Sequence, residues 1–381
     1  MGYLNDSVPA SYALEHRAFE GQDLEQQFPD DLDIFTLSSE PESFTTFISH
    51  ELRTPLTAIL GVLRLLHSGH FGTLSAECES FLSLAIVSAN RLERLAKIIE
   101  HENVSPVTLL SDLEMRYFHL ENDLYLAIDR QEFQTFYQPI FCVESDRIIG
   151  FEALTRWLHP QKGWIPPSVF IPLAEKVGLI HQLGLWSLEQ SCHQLGQWQQ
   201  QLPSALPLFM SVNLSAIQLL QPSFIEAVQE ILRDTKIAPG SLKLEITETS
   251  LIQNYDIAIA TLSKLKSLGV QLYVDDFGTG YSSLGRLQNL PVDALKLDRC
   301  FVAGKQWHIS KAILFLASKL GLDAIAEGVE TIEEVEFLKA MGYRKMQGYF
   351  FSRPVDGEAA SALISTSLDR EITLSRCSDP C

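Results

Sequence analysis

Between residues 43 and 66, apolar side chains fall at Phe44, Phe47, Ile48, Leu52, Leu56, Ile59, Leu63 and Leu66. This three-four spacing keeps them on one face of a helix. Residues 80–99 repeat the pattern with Phe81, Leu84, Ala85, Ser88, Leu92, Leu95 and Ile98, and Gly69, Gly72 and Ser75 mark the turn between. Two amphipathic helices on a short connection make an antiparallel hairpin, and a single hairpin cannot bury both of its stripes. A four-helix bundle built by two chains buries them, so the segment predicts a homodimer.

Further on, the pattern becomes an alternation of strands and helices. Strands are predicted near 134–142, 147–157, 208–214, 242–247, 270–276, 293–298, 322–327 and 345–350, with helices over 168–200, 223–234, 255–267, 305–319 and 331–341. Eight strands, mostly joined through helices, in about 245 residues match a (β/α)8 TIM-like barrel. The first two strands are joined only by 144–147 and must therefore be antiparallel. The predicted class is α/β, an antiparallel-started barrel over 120–365 behind a helical hairpin over 41–105. A linker spans 106–119, and a loose tail follows at 366–381.

The chain of 381 residues is 46% hydrophobic and 20% charged, ordinary values for a folded protein of two or three domains. Its net charge of −19 is unusual and argues against binding a nucleic acid polymer. Residues 1–40 hold nine acids against the single base Arg17, an acidic leader expected to be disordered. No run approaches the roughly 20 apolar residues needed to span a bilayer, and Leu56–Leu66 is broken by Arg64. With no basic, then apolar, amino terminus, a cytoplasmic protein without membrane insertion is expected. Six cysteines without metal-type spacing read as free thiols.

Polar residues interrupt the apolar strands mainly near their C-terminal ends: Glu152, Asn213, Glu245 and Glu248, Asp275 and Asp276, Lys296 and Asp298, Glu327, and Gln347. In a barrel these ends converge on one face, where this fold places its active sites. So many carboxylates around one lysine need compensating charge. Hard oxygen ligands without a His or Cys cluster select Mg²⁺ or Mn²⁺, and the adjacent Asp275 and Asp276 suggest two metals sharing a carboxylate. Two such metals are a standard device for hydrolysing a phosphodiester. A lysine among acids holds its proton firmly, so Lys296 is cast as orienting water or phosphate rather than as an unaided base.

At these positions the sequence from about Leu120 to Ile364 closely resembles the EAL family of cyclic-di-GMP phosphodiesterases. The motif stands as Glu152-Ala153-Leu154 with Arg156 two residues on. It is accompanied by Gln138-Pro139-Ile140, Phe170-Ile171-Pro172, Val212-Asn213-Leu214-Ser215, Glu245-Ile246-Thr247-Glu248, DDFGTGYSSL from Asp275, Lys296-Leu297-Asp298, Ala326-Glu327-Gly328 and Gln347-Gly348-Tyr349. The resemblance implies hydrolysis of cyclic-di-GMP to linear pGpG. It places Glu152, Asn213, Glu245 and Asp275 on one metal, Asp275 and Asp276 on the second, and Glu327 in support of metal and water. Lys296 would position the water, Gln347 would assist, and Arg156 would take a phosphate. Leu154, Asp298 and Gln138 would contact substrate, Gln138 near a guanine, and Glu248 would anchor the loop Phe277–Leu284. Family members that have lost these residues serve as receptors, which leaves a catalytically weak cyclic-di-GMP receptor or scaffold as the alternative; none of those losses occurs here. Ile246, where similar proteins often carry Leu, is a volume-conserving departure.

The hairpin sequence Phe47–Ile59, FISHELRTPLTAI, resembles the phosphoacceptor box of histidine-kinase dimerisation domains. His50 matches the phosphorylated histidine and Glu51 its acid-base partner, a pair suited to phosphotransfer. Two readings stay open: a dimerisation module that retains the box as sequence alone, or one in which a histidine kinase or response regulator is the partner of His50. Asp276–Gly280 superficially fits a nucleotide box, but it follows a barrel strand and lacks the companion boxes, so the chain is not a self-sufficient kinase.

Overall fold

The computed structural model describes residues 112–377 apart from 202–207, 222, 249, 251–254 and 281–283. The acidic leader, the helical hairpin and His50 lie outside the described residues. Two compact units divide the chain near residue 126. In the first, helix α1 (Asp112–Ala127) begins inside the stretch predicted as a linker and crosses its boundary at 119/120.

The second unit is the barrel. In chain order it comprises β1 (Phe133–Cys142), β2 (Arg147–His159), β3 (Gly163–Ile165), α2 (Pro167–Val177), α3 (Ile180–Gln201), β4 (Phe209–Asn213), α4 (Ala216–Leu219), α5 (Phe224–Thr235), β5 (Leu242–Thr247), α6 (Tyr255–Ser267) and β6 (Gln271–Phe277). Then come α7 (Leu284–Leu287), β7 (Ala294–Leu297), α8 (Arg299–Ala303), α9 (Trp307–Leu320), β8 (Asp323–Ala326), α10 (Ile332–Met341), β9 (Lys345–Met346) and α11 (Gly357–Cys377). The sheet order β1-β9-β8-β7-β6-β5-β4-β2 closes through a β1–β2 pairing, and β3 adds to β2 outside the ring. β1 runs antiparallel to both ring neighbours, while the other ring pairs are parallel. The eight predicted strands are thus the eight ring strands, and the antiparallel start is present.

Four boundaries differ from prediction for local reasons. The predicted helix 168–200 is two helices, because Gly178 ends α2 in the left-handed conformation at φ 80. The stretch 305–319 is preceded by the short helix α8, which Asp298 caps and Gly304 and Lys305 terminate. β9 stops at Met346 instead of 350, where the chain turns against Val329. α11 continues to Cys377, over residues expected to form a loose tail. The strand β3 was not anticipated.

Outward strand residues such as Val212, Leu214, Leu244, Leu272, Val274, Leu295 and Ala326 are buried in the continuous apolar shell beneath the helices. Inside the lower barrel, Ile140, Phe209, Tyr273, Ala294 and Ile325 form a separate plug. Strands buried on both faces explain the near-continuous apolar runs in the sequence. No helix among the described residues is long and apolar enough to cross a membrane. Cys142, Cys192 and Cys300 are free thiols.

Candidate active site

Strand alternation carries the lumen from apolar to polar within two residues. Above the plug, the side chains in step with Phe209, Tyr273, Ala294 and Ile325 are Ser211 and Asn213, Asp275, Lys296 and Glu327. The parallel register aligns Asn213 with Glu245 and Thr247 with Asp275, and the antiparallel register sets Gln138 opposite Glu152. Polar groups from β1, β2, β4, β5, β6, β7 and the segments beyond β8 and β9 therefore share one level.

Lys296, 1% exposed, lies at the centre. Its Nζ sits 2.6 Å from Glu245 Oε2, 3.1 Å from Asp275 Oδ1 and 3.6 Å from Glu152 Oε2, and it also contacts Glu327 Oε1. Burial alone would strip this ammonium of its proton, but the surrounding carboxylates, Asp275 foremost, outweigh it and hold its pKa well above the usual lysine range. Glu152 is fixed at both oxygens, Oε1 by Asn213 Nδ2 at 2.8 Å and Oε2 by Gln347 Nε2 at 2.6 Å. Burial works to raise its pKa, yet the Lys296 charge and these amide donors keep it below the ordinary value. Gln347 also donates to Gln138 Oε1 at 3.1 Å, and Gln138 donates onward to Ser352 O. Ser211, absent from the sequence prediction, donates to Glu245 Oε1. Its alternation with Asn213 was the available sign.

Neighbouring residues of a strand normally point to opposite faces, which should separate Asp275 from Asp276. Here β6 advances from Val274 to Phe277 while β7 advances only from Leu295 to Leu297, so β6 carries one extra residue. Within that bulge Asp276 takes a left-handed φ of 52. Asp275, Asp276 and Glu327 consequently offer oxygens within 4.8 Å of one another. Burial, then the charge of Asp275, raises the Asp276 pKa to about 6, and Glu245 and Glu327 are raised well above the ordinary value, by burial first.

These features fit divalent cations. Once all are ionised, five carboxylates (Glu152, Glu245, Asp275, Asp276 and Glu327) against one ammonium would carry four net negative charges, which two divalent ions would neutralise. Asp275 Oδ1 and Glu327 Oε1 are buried with the Lys296 ammonium as their ion-pair partner, and the buried side-chain oxygen of Gln347 makes no hydrogen bond. The donors are hard oxygens, suited to Mg²⁺ or Mn²⁺.

The remaining predicted residues sit around this centre. Glu248, buried, accepts from Gly278 N at 2.9 Å and so holds the start of the loop after β6. Asp298 caps α8 through Cys300 N at 2.9 Å. Leu154 and Arg156, half-buried, rise along β2 above Glu152. Trp157, next to Arg156 in sequence, packs into the barrel and does not line the pocket. It is 0% exposed on the opposite face of β2, where its indole donates to Glu132 at 2.9 Å.

The family model for the EAL domain matches residues 121–354, and that for the His Kinase A (phospho-acceptor) domain matches residues 42–99. Among relatives, the bifunctional diguanylate cyclase/cyclic di-GMP phosphodiesterase MucR of Pseudomonas aeruginosa is 38% identical over 251 residues, 65% of this chain and 36% of MucR. The cyclic di-GMP phosphodiesterase NbdA of the same species is 40% identical over 241 residues, 62% of this chain and 30% of NbdA. This chain thus spans about a third of the length of these curated relatives. The solved PaMucR phosphodiesterase in complex with c-di-GMP matches with a TM-score of 0.61 at 38% identity, covering 64% of this chain and 99% of that one.

Proposed function

The chain belongs to the EAL domain family, and from that premise we propose that it hydrolyses cyclic-di-GMP to linear pGpG at the carboxylate cluster around Lys296. The observation that carries this reading is the convergence of four carboxylates on the one ammonium of Lys296, with Asp276 beside Asp275 and Glu327 as a fifth. A receptor needs only to hold its ligand and has no use for such a concentration of buried acid.

Glu152, Asn213, Glu245 and Asp275 would hold one Mg²⁺ or Mn²⁺, and Asp275 and Asp276 a second, with Glu327 beside them. When bound, such ions supply Lewis acidity and a nucleophile at neutral pH. The protein's own groups do the positioning. Lys296 ties Glu245, Asp275 and Glu327 to one point and sets a fixed positive charge beside the attacking water. Asn213 and Gln347 lock Glu152 in its ionised form. Arg156 meets a substrate phosphate, and Leu154, Asp298, Gln138 and Gln347 contact the rest of the substrate. Glu248 keeps the loop after β6 seated. Water adds at phosphorus and one phosphodiester P–O bond breaks, opening the ring.

The test is purified protein with cyclic-di-GMP and Mg²⁺ or Mn²⁺, followed for pGpG, with EDTA and Glu152→Ala as controls. Metal-dependent product that Glu152→Ala lacks supports the enzyme. Tight binding without product, under conditions where Glu152→Ala binds equally well, sinks it in favour of the receptor. The match over residues 42–99 supports a regulatory amino-terminal module: a homodimer through the hairpin, with His50 phosphorylated in trans by a histidine kinase or read by a response regulator. Unchanged oligomeric state and turnover on deleting residues 1–105 would dismiss that coupling.

A further inference from the structure

Two ring strands outrun the barrel. β2 pairs with β4 only over Gly150–Ala153, and beyond that it continues to His159 between β1 and β3. A three-stranded antiparallel flap therefore stands above the mouth, on the order of 15–20 Å tall at roughly 3.3 Å per residue. Side chains in step with Glu152 are Leu154, Arg156 and Leu158, and the ladders set Phe136 opposite Leu154 and Trp164 opposite Leu158. All five continue the inner wall of the lumen upward. Exposure along it climbs from 7% at Glu152 to 38% at Leu158.

On this wall Phe136 and Trp164, both half-buried, meet edge to face with centroids 5.6 Å apart and planes at 85°. The Arg156 guanidinium lies 6.0 Å from the centre of the Phe136 ring. The flap does not need these rings for its packing, because its other face is sealed by Trp157, Phe133 and Phe170 at 0–5% exposure. Phe136 is also only two residues along β1 from Gln138, which is hydrogen-bonded through Gln347 to Glu152. An open aromatic corner with a cation beside it, one rung above the carboxylate layer, suits a flat, electron-rich ring tethered to a phosphate.

We propose that Phe136 and Trp164 form a stacking wall for one purine base of the substrate, with Arg156 bridging from that wall toward the phosphate. The inference rests on the reading of the substrate as a cyclic dinucleotide. Truncating an aromatic that stacks on a base weakens binding about 5- to 150-fold.

The test uses the full chain as wild type, Trp164→Ala, Phe136→Ala and Trp164→Phe, measuring kcat and KM for cyclic-di-GMP with Mn²⁺ and affinity by calorimetry. The expected result is a KM raised at least fivefold in both alanine variants, kcat within about twofold of wild type, and most of the loss recovered in Trp164→Phe. A merely structural role would lower kcat with KM. KM values within twofold of wild type in both alanine variants overturn the wall. Where the wild type binds cyclic-di-GMP but makes no pGpG, the phosphodiesterase reading falls while the affinities still decide the wall: a loss of fivefold or more in both alanine variants upholds it and a smaller loss overturns it. No binding and no turnover in the wild type overturns the substrate reading and the wall together.

Discussion

Replacing Lys296 with Met keeps the length of an unbranched side chain and removes the one cation inside the carboxylate cluster. Lys296 Nζ contacts Glu245, Asp275, Glu327 and Glu152, and nothing about the Met thioether compensates them. Breaking a buried ion pair by removing one partner costs about 3–5 kcal/mol. At about 2–4 °C per kcal/mol for a domain of this size, the metal-free variant should melt about 6–20 °C below wild type. Deprived of the ammonium, the carboxylates shift further toward their protonated forms, so the folded state binds more protons than the unfolded one. Its stability then falls as pH rises. The deficit should accordingly be larger at pH 8 than at pH 5.5, and saturating Mg²⁺ or Mn²⁺ should shrink it by supplying the missing positive charge. Turnover should drop about 10²- to 10³-fold, the usual worth of one preorganised electrostatic donor. Melting curves by differential scanning fluorimetry at both pH values, with and without metal, together with pGpG production, provide the assay. Turnover within tenfold of wild type, or a deficit indifferent to both pH and metal, would refute Lys296 as the electrostatic centre of the site.

Asp276, raised to about 6, and Glu245 and Glu327, raised well above the ordinary value, retain protons in the metal-free site that a divalent cation must displace. Metal affinity should therefore climb as pH rises through 6, and calorimetry at pH 6 in two buffers of different ionisation enthalpy should register proton release; buffer-independent heats would contradict it. The same raised values mean that metal-free stability declines as pH rises from about 4 through 6, a trend that thermal melts in EDTA can read. In Gly348→Ala the added Cβ would lie 2.0 Å from Val329 O and 2.2 Å from Val329 N, so backbone must move and the 3.1 Å bond from Val329 N to Gln347 O is lost. A destabilisation of about 1–3 kcal/mol or more and at least a tenfold loss of turnover are expected, as Gln347 leaves Glu152; a variant with wild-type melting and activity would show that this contact does not set the position of Gln347.

The ring strands were legible because a barrel strand is buried on both faces and reads as an apolar run, and because polar residues break those runs only near one end. What escaped was governed by contacts remote in sequence. β3 is three residues long, too short for any period to show, and exists because Gly163–Ile165 finds a partner in Trp157–His159. β9 ends early because Val329, on another strand's loop, presses against Gly348. Trp157 and Trp164 are alike in composition and neighbourhood, and only the side of the β2 ladder on which each falls sends one into the core and the other toward the mouth.

The same logic explains why the ligand types were readable and their arrangement was not. Listing Glu152, Glu245, Asp275, Lys296 and Glu327 as strand-end residues predicts an acidic mouth; it does not predict that four carboxylates meet a single ammonium. That convergence follows from register, and at one point from a departure from register. Without the extra residue in β6, strict alternation would turn Asp276 away from Asp275 and leave a single aspartate facing Glu327. The bulge and the left-handed backbone at Asp276 turn both acids to the same side, where burial and the charge of Asp275 raise the pKa of Asp276. The bulge is thus what brings Asp275, Asp276 and Glu327 within 4.8 Å of one another, the grouping a divalent cation could use.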